Sequence, residues 1–232
     1  MFDMYYMIFV LPAIILAMIA QSKVQSTFKK FSKQGNISGY TGAEVAKRIL
    51  NLAGVYDVRV EHIRGNLTDH YDPTNKVLRL SDGVYSSKSV AAIRVAAHEV
   101  GHAIQHNQGY AFLQLRHSLF PVASFASKAA FPLILIGSLL GGLSGGGGFF
   151  LDLGIIFFAV TTLFAIVTLP VEFNASNRAV KILTAEGLLI GDELKGAKKV
   201  LQAAALTYVA SAAVSLGQLL RFIMLFGGRR ND

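Results

Sequence analysis

The sequence predicts a mainly α-helical, polytopic membrane protein with about four transmembrane helices and one small α+β portion. Hydrophobic residues make up 53% of the 232 residues and charged residues only 16%, whereas soluble domains carry about 25% charged residues. The mean hydropathy is +0.47. Four apolar runs, 4–20, 120–143, 149–169 and 200–226, approach the ~20 residues that a helix needs to cross a bilayer. Between the first two runs, charged residues and short alternating patterns predict a solvated α+β region.

The apolar runs divide the chain into five predicted segments. The first run could be a cleaved signal peptide, but it lacks a basic start and a small-residue cleavage site, so we interpret it as an uncleaved anchor. A separate helix over 171–185 is expected after Pro170, because proline suits the first turn of a helix. The predicted segments are a transmembrane anchor (1–20), a cytoplasmic portion (21–119), a transmembrane hairpin (120–169), a cytoplasmic helix (170–199) and a transmembrane helix with a short tail (200–232).

The distribution of positive charge predicts the orientation of these segments. Only Asp3 precedes the first apolar run, whereas Lys23, Lys29, Lys30 and Lys33 follow it. The positive-inside rule therefore places the N-terminus outside the cell and residue 21 onward in the cytoplasm. Three arginines near the outer end of the last run conflict mildly with this orientation: Arg221, Arg229 and Arg230.

Composition also limits the classes of function. The formal net charge is +8, but no basic–aromatic motif for nucleic acid accompanies it, so the positive residues are interpreted as membrane-flanking charge and no nucleic-acid partner is expected. Cysteine is absent, which excludes a disulfide framework, a cysteine-based zinc site and a thiol nucleophile. The Gly-rich stretch 144–148 lacks the Lys-Ser/Thr of a phosphate-binding loop and predicts a tight turn.

The residue pattern most informative about function is H-E-x-x-H, formed by His98, Glu99 and His102. Positions i and i+4 share one helix face, so the two imidazoles can bind one Zn²⁺. Glu99 projects about 100° to the side, where a carboxylate can take a proton from a metal-bound water and pass it to a leaving amine. An ordinary amphipathic helix with two hydrogen-bonded histidines is the alternative. The apolar residues that surround the charged Glu99 favour the zinc site.

The predicted cytoplasmic portion contains further element signals. Thr41 and Glu44 have the spacing of a capping box and predict a helix start. Residues 55–60 and 76–80 alternate as strands do, and 72–75 have turn composition. A strand beside a zinc helix can pair with an extended peptide, and 76–80 is the candidate for that role. An ordinary structural strand explains this pattern equally well.

A catalytic zinc usually has three protein ligands, and the third is sought downstream. His106 would lie about 12 Å along the helix axis from His98, so it cannot share the metal and is expected to support the site or the fold. The position of His117 in the sequence does not exclude it as the third ligand. Glu172 emerges from an apolar run at the membrane surface, where a carboxylate is costly without a partner such as a metal. A glutamate stabilised by a helix N-terminus is the alternative, but we favour Glu172 as the ligand.

Three motifs together resemble a known family. His98-Glu99-Val100-Gly101-His102-Ala103-Ile104-Gln105-His106, the upstream His70-Tyr71-Asp72-Pro73 and the downstream Pro170-Val171-Glu172-Phe173 are similar to the YugP-type neutral zinc metallopeptidases of bacterial membranes. The resemblance covers nearly the whole chain. It implies a zincin-like catalytic portion with one Zn²⁺ in a gluzincin-like site, with His98, His102 and Glu172 as ligands and Glu99 as base.

A more distant resemblance is to the HtpX and CAAX-prenyl-protease group. In that group an Asp typically follows the ligand Glu by four positions, whereas this chain has Ser176 there. A contact from that Asp to a ligand histidine is therefore not implied, and a Ser hydroxyl would have to replace it.

These observations predict a membrane-embedded zinc endopeptidase of the bacterial inner membrane. Its site would face the cytoplasm, and its partners would be the lipid bilayer and a protein or peptide substrate, with membrane proteins among the candidates. The rival interpretation is a non-catalytic metal-binding scaffold or pseudoprotease, which would have no need of Glu99. A transporter is a second rival, but the apolar runs hold few of the charge pairs that a transport path uses.

Overall fold

The computed structural model describes residues 3–142 and 145–227 and confirms the predicted fold class. Four of its helices are long and apolar enough to cross a membrane, and a three-stranded sheet accompanies them. One π-helical turn, Tyr6–Val10, precedes the first α-helix. The elements are α1 (Leu11–Phe31), α2 (Gly42–Leu52), β1 (Arg59–His62), β2 (His70–Asp72), β3 (Val77–Leu80), α3 (Asp82–Tyr85), α4 (Val90–Asn107), α5 (Ala111–Leu139), α6 (Gly148–Ala185) and α7 (Gly191–Phe226).

The prediction of a separate helix after Pro170 is wrong. Helix α6 runs without interruption from Gly148 to Ala185, with Pro170 inside it. Proline fixes φ near the helical value and removes one backbone donor, so a long apolar helix can continue through it at the cost of a hydrogen bond. Helix α5 likewise contains Pro121 and Pro132. The membrane helix therefore extends directly into the segment that carries Glu172.

The chain forms two compact units. The first comprises Met1–Ala20, Gln114–Leu169 and Thr207–Asp232, and the second comprises Gln21–Leu113 and Pro170–Leu206. We call them the apolar unit and the polar unit. Helices α1, α5, α6 and α7 each contribute residues to both units.

In the apolar unit, an ion pair joins the residue that precedes the first helix to the last helix. Arg221 Nη2 lies 2.6 Å from Asp3 Oδ2, and the guanidinium carbon lies 5.4 Å from the centre of the Tyr6 ring. Asp3 thus neutralises the arginine that conflicted with the predicted orientation of the last helix. Arg229 and Arg230 lie outside the described residues.

The sheet of the polar unit has the strand order β1-β3-β2. Strand β3 pairs in parallel with β1, where Val60 faces Leu78, and antiparallel with β2, where Tyr71 faces Leu78. The prediction that 76–80 pairs with a substrate is therefore wrong, because both edges of that strand are already hydrogen-bonded. The predicted turn at 72–75 is confirmed, since Asp72 Oδ1 accepts hydrogen bonds from the backbone N–H groups of Thr74 and Asn75.

The helix that carries the H-E-x-x-H pattern lies in the core of the polar unit. Ser89 caps its start by accepting a hydrogen bond from the N–H of Ala92, and Gly109 follows its end at φ 63°, a conformation that glycine adopts without strain. Helix α2 begins with the predicted capping box of Thr41 and Glu44. The apolar face of α4 is buried through these residues: Val90, Ile93, Ala96, Ala97 and Val100.

Candidate metal centre

Helix α4 presents His98 and His102 side by side. The two imidazole rings have centroids 4.9 Å apart and meet edge to face at 84°. They are one helical turn apart, which is the spacing that brings side chains onto the same face. The arrangement follows from the local sequence alone, as predicted.

Helix α6 brings a carboxylate to these two rings. Glu172 Oε2 lies 3.2 Å from His98 Nε2 and 3.6 Å from His102 Nε2. Glu172 and His98 are buried, and one ligand atom from each of the three residues lies within 4.8 Å of the others. The three residues predicted as ligands are therefore close enough to hold one metal ion.

A glycine allows α6 to approach α4 this closely. A Cβ atom built on Gly101 would lie 2.7 Å from the carbonyl oxygen of Ala175 and 3.1 Å from its Cα. Any larger residue at position 101 would push the two backbones apart. The glycine of this H-E-x-G-H sequence is thus required for the close packing of α4 against α6.

The second nitrogen of each imidazole contacts a polar side chain. His98 Nδ1 lies 3.2 Å from the Ser176 hydroxyl, and His102 Nδ1 lies 3.0 Å from Gln105 Oε1. Gln105 Oε1 can only accept, so His102 donates its Nδ1 proton, and Nε2 is the nitrogen that a metal ion could occupy. Both Nε2 atoms thus face the Glu172 carboxylate. Two imidazole nitrogens and one carboxylate form a donor set that suits Zn²⁺ with an open coordination position.

The role of Gln105 is visible only in the structure. It is completely buried, and its Nε2 donates hydrogen bonds of 2.9 Å to the Val171 carbonyl and to Asn174 Oδ1. Arg178 donates from Nε to the same Asn174 oxygen at 2.6 Å. These bonds connect the His102 ring to the backbone of α6. The signal available in the sequence is the position of Gln105 three residues after His102, on the same face of the helix.

Glu99 lies beside the ligand group and is not a member of it. It is half-buried, and its charge acts on His102. Burial alone would lower the pKa of His102, but the hydrogen bond with Glu172 and the charges of Glu172 and Glu99 raise this pKa above its ordinary value. Glu99 is therefore near enough to influence the centre electrostatically without being one of its three ligand residues.

His106 is directed to a different environment. Its Nδ1 lies 2.8 Å from the Tyr71 hydroxyl, and both residues line a cavity of about 220 Å³ that also includes Lys76 and Asp57. Burial and the nearby charges of Asp57 and Asp72 raise the pKa of Tyr71 to about 12. Neither His106 nor His117 belongs to the ligand group formed by the described residues. The supporting role expected for His106 agrees with this contact.

Two histidines and a glutamate grouped in this way on the helices of a membrane protein, with a second glutamate beside them, form the side-chain set expected of a zinc metallopeptidase. The family comparison agrees with this class. The chain belongs to the family described as "putative neutral zinc metallopeptidase", whose model matches residues 6–227.

One curated relative extends this similarity over the full length. The chain is 52% identical over 229 residues to the "Putative membrane protease YugP" of Bacillus subtilis (strain 168), a match that covers 99% of this chain and 100% of the relative. No solved structure matches this chain. The resemblance inferred from the three motifs is confirmed.

Proposed function

We propose that this protein is a membrane-embedded, zinc-dependent endopeptidase that hydrolyses peptide bonds at the cytoplasmic face of the membrane. The observation that carries the proposal is the convergence of His98, His102 and Glu172 within 4.8 Å, with Glu99 adjacent. Metal binding alone has no need of that additional carboxylate, whereas hydrolysis requires a proton acceptor.

His98 and His102 would hold Zn²⁺ through their Nε2 atoms, and Glu172 would hold it through its carboxylate. When bound, the ion polarises a carbonyl oxygen and lowers the pKa of water toward ~7. The hydrogen-bonding contacts that the two rings make with Ser176 and Gln105 support this assignment, because such partners fix ring orientation and tautomer. The donor set contains no thiolate, consistent with a chain that lacks cysteine.

Glu99 would act as the general base and then as the general acid. Its carboxylate would accept a proton from the attacking water as the new C–O bond forms. It would then deliver this proton to the amide nitrogen as the C–N bond breaks, so the products are a carboxylic acid and an amine. Positioned proton transfer of this kind contributes about 10²–10⁴-fold to rate.

The proposed cytoplasmic location of the site is inferred from the distribution of positively charged residues. The lysines that follow the first apolar run favour a cytoplasmic position for the polar unit. Glu172 and both histidines belong to that unit. The substrate would accordingly be a protein or peptide segment presented at the inner membrane surface.

The test is to compare Glu99→Gln with the wild type for zinc content and for cleavage of unfolded model proteins in detergent. The amide keeps the size of the side chain and removes the proton acceptor. We expect Glu99→Gln to retain zinc and to lose cleavage by about 10²–10⁴-fold. The control Glu186→Gln makes the same charge change at an exposed position and should retain both properties.

Two outcomes would contradict the proposal. Full activity of Glu99→Gln would exclude the proposed base. A wild-type protein that carries zinc but cleaves none of a broad panel of unfolded proteins would instead favour the non-catalytic scaffold.

A further inference from the structure

A basic groove lies on the polar unit, at the point where α1 and α7 pack side by side. It has a volume of about 490 Å³. Three of its lining residues are lysines, three others are uncharged hydrogen-bonding residues, and one is aromatic. The lining residues are Lys23, Ser26, Thr27, Lys30, Phe31, Lys199 and Gln202.

The groove is built by a close contact between the two helices. A Cβ atom on Gly196 would collide with the Phe31 ring, so the absence of a side chain at this position lets the ring lie against α7. Phe31 is buried as a result. The ring forms an apolar wall of the groove, and the ammonium of Lys30 lies 5.7 Å from its centroid.

The charge of the groove is uniformly positive. Lys23, Lys30 and Lys199 are exposed, and among the residues that the structure describes no carboxylate lines the groove. The nearby Asp192 is paired with Lys195 at 2.9 Å. No acidic residue occurs in the sequence between Asp3 and Glu44. Three ammonium groups around one concave surface favour an anionic ligand.

The sequence of both helices places the groove at the level of lipid headgroups. The apolar run of α1 ends at Ala20, shortly before Lys23. The apolar run of α7 starts at Val200, directly after Lys199. Lysines at the ends of membrane-spanning segments lie in the interface where anionic headgroups are found.

We propose that this groove binds the phosphate-bearing headgroup of an anionic membrane lipid. The lysine ammonium groups would neutralise the phosphate, and the Thr27 hydroxyl and the Gln202 amide would donate hydrogen bonds to its oxygens. The Ser26 hydroxyl already donates to the Lys23 carbonyl at 3.2 Å. A lipid fits better than an acidic protein segment or a free phosphate, because apolar helix surface begins where the groove ends and can accept the acyl chains. This proposal is independent of zinc and of peptide cleavage.

The test measures lipid binding by the full-length protein in detergent. Native mass spectrometry would give apparent affinities for phosphatidylglycerol and for zwitterionic phosphatidylcholine. The groove variant is Lys23→Gln/Lys30→Gln/Lys199→Gln. The matched control, Lys29→Gln/Lys33→Gln/Lys198→Gln, removes the same charge from exposed positions of the same region that do not line the groove. Circular dichroism and melting temperature would establish that both variants fold.

The wild type should prefer phosphatidylglycerol. Each basic residue near an anionic surface strengthens attachment about fivefold, so the groove variant should lose about tenfold or more of the affinity for phosphatidylglycerol. The control should lose clearly less than the groove variant, because its three lysines do not line the groove and so do not contact the bound headgroup.

Four results would overturn the proposal. These are equal affinity of the wild type for both lipids, equal losses in the two variants, full displacement of phosphatidylglycerol by inorganic phosphate alone, and tighter binding of a polyglutamate peptide than of the lipid. The third result would assign the groove to free phosphate, and the fourth would assign it to an acidic protein segment.

Discussion

At the scale of single residues, the centre depends on which nitrogen of each imidazole is available. Gln105 and Ser176 engage the Nδ1 atoms, and the Nε2 atoms face Glu172. Gln105 is also bonded to the Val171 carbonyl and to Asn174, so its amide orientation is determined on both sides. The two imidazole rings are therefore held in position without a metal, and this lowers the entropic cost of ordering them when a metal binds.

Ser176 provides a residue-scale prediction. Ser176→Ala removes the hydroxyl that contacts His98 Nδ1, and loss of such a partner typically weakens metal affinity about 10–100-fold. Ser176→Asp supplies a stronger acceptor at the same position and should retain zinc at least as well as the wild type. Competition with a fluorescent zinc chelator would measure both affinities. An unchanged affinity in Ser176→Ala would show that this contact does not support the centre.

Whether a site residue can be predicted from the sequence depends on where its partners lie along the chain. His98, Glu99 and His102 form a local pattern on one helix, so the sequence alone suffices to predict their arrangement. Glu172 is predictable as a candidate ligand because a carboxylate at the membrane surface needs a partner, and the structure brings it beside both histidines. The role of Gln105 is not predictable from local spacing, because its partners on α6 lie 66 and 69 residues away in the sequence.

At the scale of elements, the centre depends on how closely α4 and α6 approach. Gly101 faces the backbone of Ala175, one turn beyond Glu172 on α6. The same helix crossing therefore fixes the distance between the Glu172 carboxylate and the two imidazoles. The continuity of α6 through Pro170 has a related effect, because it makes the carboxylate part of a membrane-anchored helix.

Gly101→Ala tests this close approach. The added Cβ would meet the carbonyl oxygen of Ala175 at 2.7 Å, and overpacking of this kind costs about 1–3 kcal/mol. We expect a lower melting temperature and weaker zinc binding, since α6 must move away from the histidines. Gly83→Ala is the control, because a Cβ there meets nothing within 4 Å. Equal behaviour of the two variants would contradict a tight helix crossing.

The strands show what alternation can and cannot predict. The pattern at 76–80 correctly predicts a strand, and Val77–Leu80 forms one. The pattern does not report how many neighbours a strand has. β1 and β2 cover both edges of β3, and β2 itself has only three residues, too few for alternation to be recognised. The substrate-pairing hypothesis failed for this reason.

At the scale of the whole molecule, four membrane-spanning helices follow from composition and length. The ion pair between Asp3 and Arg221 adds a constraint that no local pattern contains. It brings the N-terminal end of the first candidate spanning helix and the C-terminal end of the last one together. That arrangement is consistent with an even number of crossings.

The orientation of the molecule is testable with reporter fusions. Fusions after Lys33 and after Ala185 should report the cytoplasm, and a fusion at Gly146 should report the opposite side, because the lysines after the first apolar run favour the cytoplasmic side. Enzymatic reporters that are active on only one side of the membrane provide the measurement. An external signal from the Lys33 fusion would reverse the proposed location of the site.

The central claim is that α4 and α6 together form one zinc centre from His98, His102 and Glu172. The zinc content of the purified protein, measured by elemental analysis after dialysis against a weak chelator, tests this claim most directly. We expect about one zinc per chain in the wild type and in His106→Ala, near zero in His98→Ala and His102→Ala, and a marked loss in Glu172→Gln, because an amide is a poorer ligand than a carboxylate. Full zinc content in Glu172→Gln, or loss of zinc in His106→Ala equal to that in His102→Ala, would contradict the proposed ligand set.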